Sequence, residues 1–218
     1  MAKYSIDDST LIAIGDAIRE KNGTSETMTP AEMAAAISAI EAGGGYDEGY
    51  AAGKAISDAI IDRTIAEIES NVSEVKANVF YGCEALVSAV FPEATMVFDA
   101  AFRECTSLVT VDLPKALHLR GSSFRGCINL KKIDLPNLVQ VFASVFQGCS
   151  TLETVILRAD KLCTISNTNV FAGTPIEGGT GFIFVPDNLL DQYRTATNWS
   201  TLANQIRAIE DYPDIVGG

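Results

Sequence analysis

Phe124-Arg125-Gly126-Cys127-Ile128-Asn129-Leu130-Lys131-Lys132-Ile133-Asp134-Leu135-Pro136 decides the fold, because the chain states this pattern four times. Phe80, Phe102, Phe124 and Phe146 stand 22 residues apart, and Cys83, Cys105, Cys127 and Cys149 keep the same interval. Leu86, Leu108, Leu130 and Leu152 follow each Phe by six residues. Ala89, Val111, Ile133 and Val155 follow by nine, and Phe91, Leu113, Leu135 and Leu157 by eleven. Pro92, Pro114 and Pro136 close three of the units, and Arg158 takes that place in the fourth. Val97, Leu119, Val141 and Cys163 add an inward position at seventeen.

A 22-residue unit with so few apolar side chains cannot bury them alone, so equal units must stack on one another. The apolar pair at nine and eleven alternates as a short strand does, and stacking places these strands side by side in a parallel sheet. Phe, Leu and Val from successive units then form ladders in one continuous core. The fold class is α+β: a solenoid built on a parallel strand ladder with 22-residue repeats, preceded by a small helical module.

The cysteines number five, an odd count with no CxxC pair, and His118 is the single histidine, which leaves no ordinary zinc set outside four thiolates. A metal or redox site is one reading of Cys83, Cys105, Cys127 and Cys149. The spacing favours the other, a ladder of buried thiols, since a free Cys behaves as a small buried hydrophobe. Cys163 reads as filling a core slot in the same way.

With these residues in place, the chain resembles the BspA-type branch of the leucine-rich repeats, in which F-x-G-C-x-x-L-x-x-V-x-L-P recurs along bacterial surface and phage proteins. Phe80-Tyr81-Gly82-Cys83, Phe124-Arg125-Gly126-Cys127 and Phe146-Gln147-Gly148-Cys149 match it closely, while Phe102-Arg103-Glu104-Cys105 lacks the glycine. The resemblance covers roughly residues 64 to 212 and speaks for the fold more than for the function.

A solenoid needs caps, so its ends depart from the pattern. Arg63 to Ala77 reads as a looser first unit, with Ile65, Ile68, Val72 and Val75 directed inward. Beyond Phe171 the repeat decays through Gly178-Gly179-Thr180-Gly181, and Phe182-Ile183-Phe184-Val185 reads as a last strand. A helix from Pro186-Asp187 to about Thr197, with Asp187 as N-cap, and a second one from Trp199 to about Arg207 would form a cap over 182–212. That leaves 213–218 as a tail. Trp199 reads as an aromatic fixing the terminal helix against the last unit rather than as a ligand-stacking residue.

Residues 1–42 follow a helical period instead: Leu11, Ile14 and Ile18 share one face, and Met33, Ile37 and Ile40 another. The second helix opens on Thr29-Pro30-Ala31-Glu32, with Thr29 as N-cap and Pro30 at the first helical position. Residues 43–63 form a joint at Gly43-Gly44-Gly45 followed by a linker helix. Gly45, Gly49 and Gly53 lie four apart, a spacing read as an exposed linker rather than as a packing face. Ser9 to Arg19, Met28 to Met33 and Gly49-Tyr50-Ala51-Ala52-Gly53-Lys54 resemble the opening of tail- and baseplate-associated proteins in phages and prophages of Gram-positive bacteria. The resemblance implies an anchoring or assembly module that contacts other virion proteins and leaves room for a homo-oligomer.

The formal net charge of -12 repels phosphate backbones, and the 16 basic residues form no stripe, which disfavours nucleic acid and anionic membranes. No run reaches the roughly 20 apolar residues of a membrane span, and Met1-Ala2-Lys3-Tyr4-Ser5-Ile6-Asp7-Asp8 lacks the form of a secretory leader. GxSxG, HExxH and P-loop signatures are absent. Asp112 and Asp134 share a repeat position, so ladder spacing would set them roughly 5 Å apart. An acidic sheet face explains that pair more simply than acid-base catalysis or calcium binding. His118 reads as a surface residue. No catalytic residue, metal site or cofactor is expected.

The strand positions that point outward are Ser88 and Val90, Thr110 and Asp112, Lys132 and Asp134, and Thr154 and Ile156. They vary from unit to unit while the core positions repeat, as in a scaffold decorated for binding. The expectation is a non-enzymatic virion protein of a phage tail, baseplate or fibre, assembled in the bacterial cytoplasm. It would present the solenoid to a host surface protein or glycan. The alternatives are a structural or decorating virion component and a bacterial adhesin.

Overall fold

A computed structural model describes residues 4–6 and 63–216. The helices expected in 1–42 and 43–63 lie outside the described residues. What is described of the first 42 residues is strand β1 (Tyr4–Ile6), which pairs parallel with β2 (Glu67–Ser70).

Each 22-residue unit contributes two short strands because its apolar positions fall in two separate places, one group at nine and eleven and one at seventeen. The first group gives β4 (Ser88–Val90), β6 (Thr110–Asp112), β8 (Lys132–Leu135) and β10 (Thr154–Leu157). The second gives β5 (Met96–Val97), β7 (His118–Leu119), β9 (Gln140–Val141) and β11 (Thr164–Ile165), preceded by β3 (Glu74–Val75) in the looser first unit. The strands of the second group form one parallel wall, β3-β5-β7-β9-β11, with Val75, Val97, Leu119, Val141 and Ile165 in register. Ile165, not Cys163, thus takes the ladder position after Val141. The fourth unit is longer than the others, and the extra chain displaces Cys163 beneath the C-terminal cap.

The other wall is divided. One sheet runs β1-β2-β4-β6, and a second runs β8-β10-β12-β13, with β12 at Phe182–Val185 and β13 at Ile206–Ala208. Among the described residues no hydrogen-bonded register joins β6 to β8. Beside this seam Val111 is only half-buried, whereas Ala89, Ile133 and Val155 at the same repeat position are buried.

Between the walls the aromatic ladder is continuous. Phe80, Phe102, Phe124, Phe146 and Phe171 stack with ring centroids 5.1, 5.1, 5.9 and 5.7 Å apart and planes within 17° of parallel. Trp199 closes the stack at 6.2 Å from Phe171. The thiols form a second ladder. Cys105, Cys127 and Cys149 each donate Sγ–H to the carbonyl of the Phe one unit earlier, Phe80, Phe102 and Phe124, at 3.0, 3.1 and 3.0 Å. Cysteine recurs there because it fills an apolar slot and still satisfies a buried carbonyl that a purely apolar side chain would leave bare.

The residue two after the ladder Phe is left-handed in every unit: Gly82, Gly126, Gly148 and Gly173 at φ 65° to 76°, and Glu104 at 61°. The backbone leaves no choice. Its N–H donates across units, Gly82 to Arg103 O, Glu104 to Arg125 O and Gly126 to Gln147 O, so departing from this conformation would break the ladder. Glu104 therefore keeps the turn at a strain on the order of 1 kcal/mol. Its carboxylate accepts from Tyr81 Oη at 3.0 Å and pairs with Arg103 Nε at 3.2 Å.

One column contains a mismatch. Val79, Ala101, Val145 and Val170 precede their ladder Phe and are fully buried; Ser123 occupies the equivalent place with its hydroxyl buried and without a partner. Since an unsatisfied buried hydroxyl is destabilising, Ser123→Ala is expected to raise unfolding stability by about 1 kcal/mol, measured by urea denaturation. A loss of stability would show that the hydroxyl is satisfied after all.

The C-terminal cap differs from its expected form. Asp187 lies inside a 3-10 turn, Asp187–Leu189, rather than capping a helix, and α1 is short, Leu190–Thr195. Trp199–Gln205 is also 3-10, and the chain then extends into β13, which pairs with β12 where the second helix was expected to continue. Trp199 does anchor the cap. It is buried, donates Nε1–H to Cys163 O at 2.7 Å and packs edge-on to Tyr193 at 5.2 Å. Tyr193 Oη in turn accepts from Cys163 N–H at 2.9 Å.

Candidate functional site

Pairing fixes the outward columns of the divided wall. In the first sheet Glu67, Ser88 and Thr110 align, as do Glu69, Val90 and Asp112. In the second, Lys132, Thr154 and Phe182 align, and Asp134, Ile156, Phe184 and Arg207 follow. The sequence therefore places these residues on one face, but that face has two halves of opposite character.

The half on β2, β4 and β6 is open and polar. Thr110 and Asp112 are exposed, and Glu67, Glu69, Ser88 and Val90 are half-buried. Carboxylates predominate there, with exposed Lys132 across the seam. Val87 and Val109, which precede β4 and β6, are also exposed, at 37% and 46%.

The half on β10 and β12 is closed. Ile156, expected to face solvent, is fully buried, and so is Phe184. Phe182, Ile209 and Tyr212 pack on these two in a small apolar cluster separate from the main core. Ile156 lies in a cluster separate from the main core. It is buried because the chain's C-terminal segment folds back over it, so the expected tail 213–218 continues a covering element, with a 3-10 turn at Ile209–Asp211 and α2 at Pro213–Val216. Thr154 is half-buried beside the cluster.

Asp134 is committed as well. Arg158 Nε lies 3.0 and 2.9 Å from its two oxygens, and Nη2 lies 2.7 Å from Oδ2. Arg158 stands where the other units have proline, and this fork on the neighbouring strand's carboxylate accounts for the exception. Asp112 and Asp134 consequently do not form a pair of free carboxylates, because Arg158 holds Asp134. Among the described residues, no group of three or more His, Cys, Asp or Glu is arranged to hold a metal ion. His118, expected at the surface, is half-buried in β7 between Met96 and Gln140, with Nδ1 covered.

Burial pushes the Cys83 and Cys163 thiols up to about 12. It raises Cys105 and Cys127 well above the ordinary value, with neighbouring thiols adding in the same direction. Such thiols are poor nucleophiles at neutral pH.

Two short parallel strands recurring in each unit, a stacked Phe ladder and a C-terminal cap of turns, one short helix and a last strand define a leucine-rich-repeat solenoid. The family model for the BspA type Leucine rich repeat region (6 copies) matches residues 60–180, more than half of the 218 residues, and the chain belongs to that family. Among solved structures, the chain is similar to the T. pallidum Leucine Rich Repeat protein, with 26% identity and a TM-score of 0.44. That match covers 53% of this chain and 52% of the other, so this chain spans about half of that protein's length. No curated protein matches it. Among the described residues no helix is long and apolar enough to cross a membrane.

Proposed function

We propose that the chain is a non-enzymatic presenting scaffold whose open half-face, on β2, β4 and β6, makes the binding contact with a surface protein or glycan. The observation that carries this reading is the contrast within one wall. Buried positions repeat almost unchanged from unit to unit, while Ser88, Val90, Thr110 and Asp112 differ and remain accessible. The setting we propose is a phage particle, at the tail, baseplate or fibre, assembled in the bacterial cytoplasm. Its support is the resemblance of Ser9 to Arg19 and Met28 to Met33 to tail-associated proteins.

Thr110→Arg with Asp112→Arg tests the contact. Both side chains are exposed, so the unfolding midpoint should remain within about 0.5 kcal/mol of the parent. Adsorption of particles to host cells should fall at least tenfold. Unchanged adsorption with the variant folded would remove this half-face as the contact. Deleting residues 64–218 tests the setting: intact particles that no longer adsorb support the presenting role, and failed particle assembly supports a structural one. Absence of the chain from purified particles, with the chain found instead on the bacterial surface, would make it an adhesin.

A further inference from the structure

We propose that the closed half of the outward face is a peptide-binding site, that its resident ligand is the chain's own C-terminal segment, residues 209–216, held as a releasable strap, and that the same segment of a second copy fills the site when the strap opens. The inference is independent of the reading of the open half-face.

Three observations carry it. The patch is a distinct cluster, since Ile156 and Phe184 are buried on the side of the sheet away from the core and touch Phe182, Ile209 and Tyr212 instead. Its cover is thin. Ile209 and Tyr212 are half-buried, while Glu210, Asp211, Pro213, Asp214 and Ile215 are exposed, so the strap covers the patch with two side chains three residues apart, beside Phe182 of the sheet itself.

The strap also forms no strand: it is a 3-10 turn followed by one short helix. Its backbone bonds run within itself, Tyr212 N–H to Ile209 O at 3.0 Å and Ile215 N–H to Tyr212 O at 3.1 Å. Side chains make its links to the solenoid. Tyr212 packs edge-on to Phe184 at 5.4 Å, Glu210 Oε2 accepts from Asp187 N–H at 3.0 Å, and Lys132 Nζ donates to Ile215 O at 2.8 Å. A short segment without a shared backbone ladder belongs to the low-stability end of a structure and opens without global unfolding.

The ligand chemistry follows from what sits there: an aliphatic and a tyrosine three residues apart on a tight turn, two acidic residues between them of which Glu210 accepts from the solenoid, and a carbonyl beyond for a lysine. A second copy supplies the same groups. Exchange of an identical element between protomers is an established low-cost route to association.

The test uses a labelled peptide of residues 208–218, standing for the segment of a second copy, and a chain ending at Ala208. Fluorescence anisotropy should show saturable binding to the shortened chain, at least tenfold weaker binding to the full chain, and loss of binding for the peptide carrying Tyr212→Ala. A shortened chain that is folded by circular dichroism yet binds no peptide overturns the proposal. Native-state hydrogen exchange on the full chain gives a second reading that needs no truncation. The Tyr212 and Ile215 amides should exchange at least a hundredfold faster than those of Ile156 and Phe184, and equal protection overturns the releasable strap.

Discussion

Phe124→Ala is expected to destabilise the solenoid by about 3–5 kcal/mol, the usual cost of emptying a buried phenylalanine site. Phe124 is fully buried between Phe102 at 5.1 Å and Phe146 at 5.9 Å, so the substitution removes two ring contacts as well as the apolar volume. Each such aromatic pair is worth roughly 0.5–1.5 kcal/mol beyond its buried area. The ring sits in the middle of the stack, where the units above and below rely on it for their coupling. In a solenoid, stability is the sum of unit and neighbour terms, so weakening a central interface favours separate melting of the two halves. Against a total of about 5–15 kcal/mol for an ordinary domain, the loss is a large fraction. Urea denaturation followed by circular dichroism should show a lower midpoint and a broadened transition. Phe182→Ala is the control, because Phe182 is only half-buried, outside the core stack. A Phe124→Ala midpoint within about 0.5 kcal/mol of the parent would mean that the ladder does not carry the fold.

The ladder was legible because it is periodic: Phe80 to Phe146 and Cys83 to Cys149 occupy equivalent environments, and equal spacing in sequence becomes equal spacing in space. Strand direction was legible for the same reason, with Ala89, Ile133 and Val155 turned inward and Ser88, Thr110 and Lys132 turned outward. What periodicity cannot encode is a contact between segments outside the repeat. Ile156 looks like a solvent-facing strand residue until residues 209–216 are laid over it, and nothing near Ile156 announces a cover from more than fifty positions away. Its apolar character was only a weak signal: Asp112 and Asp134 at the equivalent position are polar, but Val90 there is apolar too and is only half-buried on the open half.

Arg158 offered a similar signal. An arginine at a proline position one strand beyond Asp134 marks a charge pair, but the sequence alone does not say that its geometry is a fork on both carboxylate oxygens. Propensity misread the cap. Asn204-Gln205-Ile206-Arg207 is compatible with a helix, yet Ile206 to Ala208 becomes a strand because β12 offers an unpaired edge and buries Ile206 and Ala208. Tertiary pairing overrides weak local preference there.

Raising the pH from about 8 to about 10 is expected to cost roughly 5 kcal/mol of folding stability, and four buried thiols, Cys83, Cys105, Cys127 and Cys163, are the reason. In the folded chain, burial holds Cys83 and Cys163 at about 12 and Cys105 and Cys127 well above the ordinary value of 9.0, so all four remain protonated in mild alkali. Unfolding exposes them to water, where they ionise near that ordinary value. Because the folded pKa lies above the unfolded one, the stabilisation is fully present below about pH 9 and is lost as pH rises toward the folded value. Each pH unit in that window removes about 1.4 kcal/mol per thiol, and four thiols acting together give the stated figure at one unit above. Tyr193, raised chiefly by burial under the cap, adds in the same direction at higher pH. Urea midpoints measured under reducing conditions should therefore fall steeply above about pH 9, and thiolate absorbance should appear together with the loss of helix and strand signal rather than before it. Cys127→Ala separates this mechanism from general alkaline repulsion. By removing one of the four thiols it should reduce the slope of stability against pH by about a quarter, while costing some stability at neutral pH through the lost bond to Phe102 O. A slope unaffected by that substitution, or thiolate absorbance that rises while the chain is still folded, would show that the cysteines are not sealed in the core.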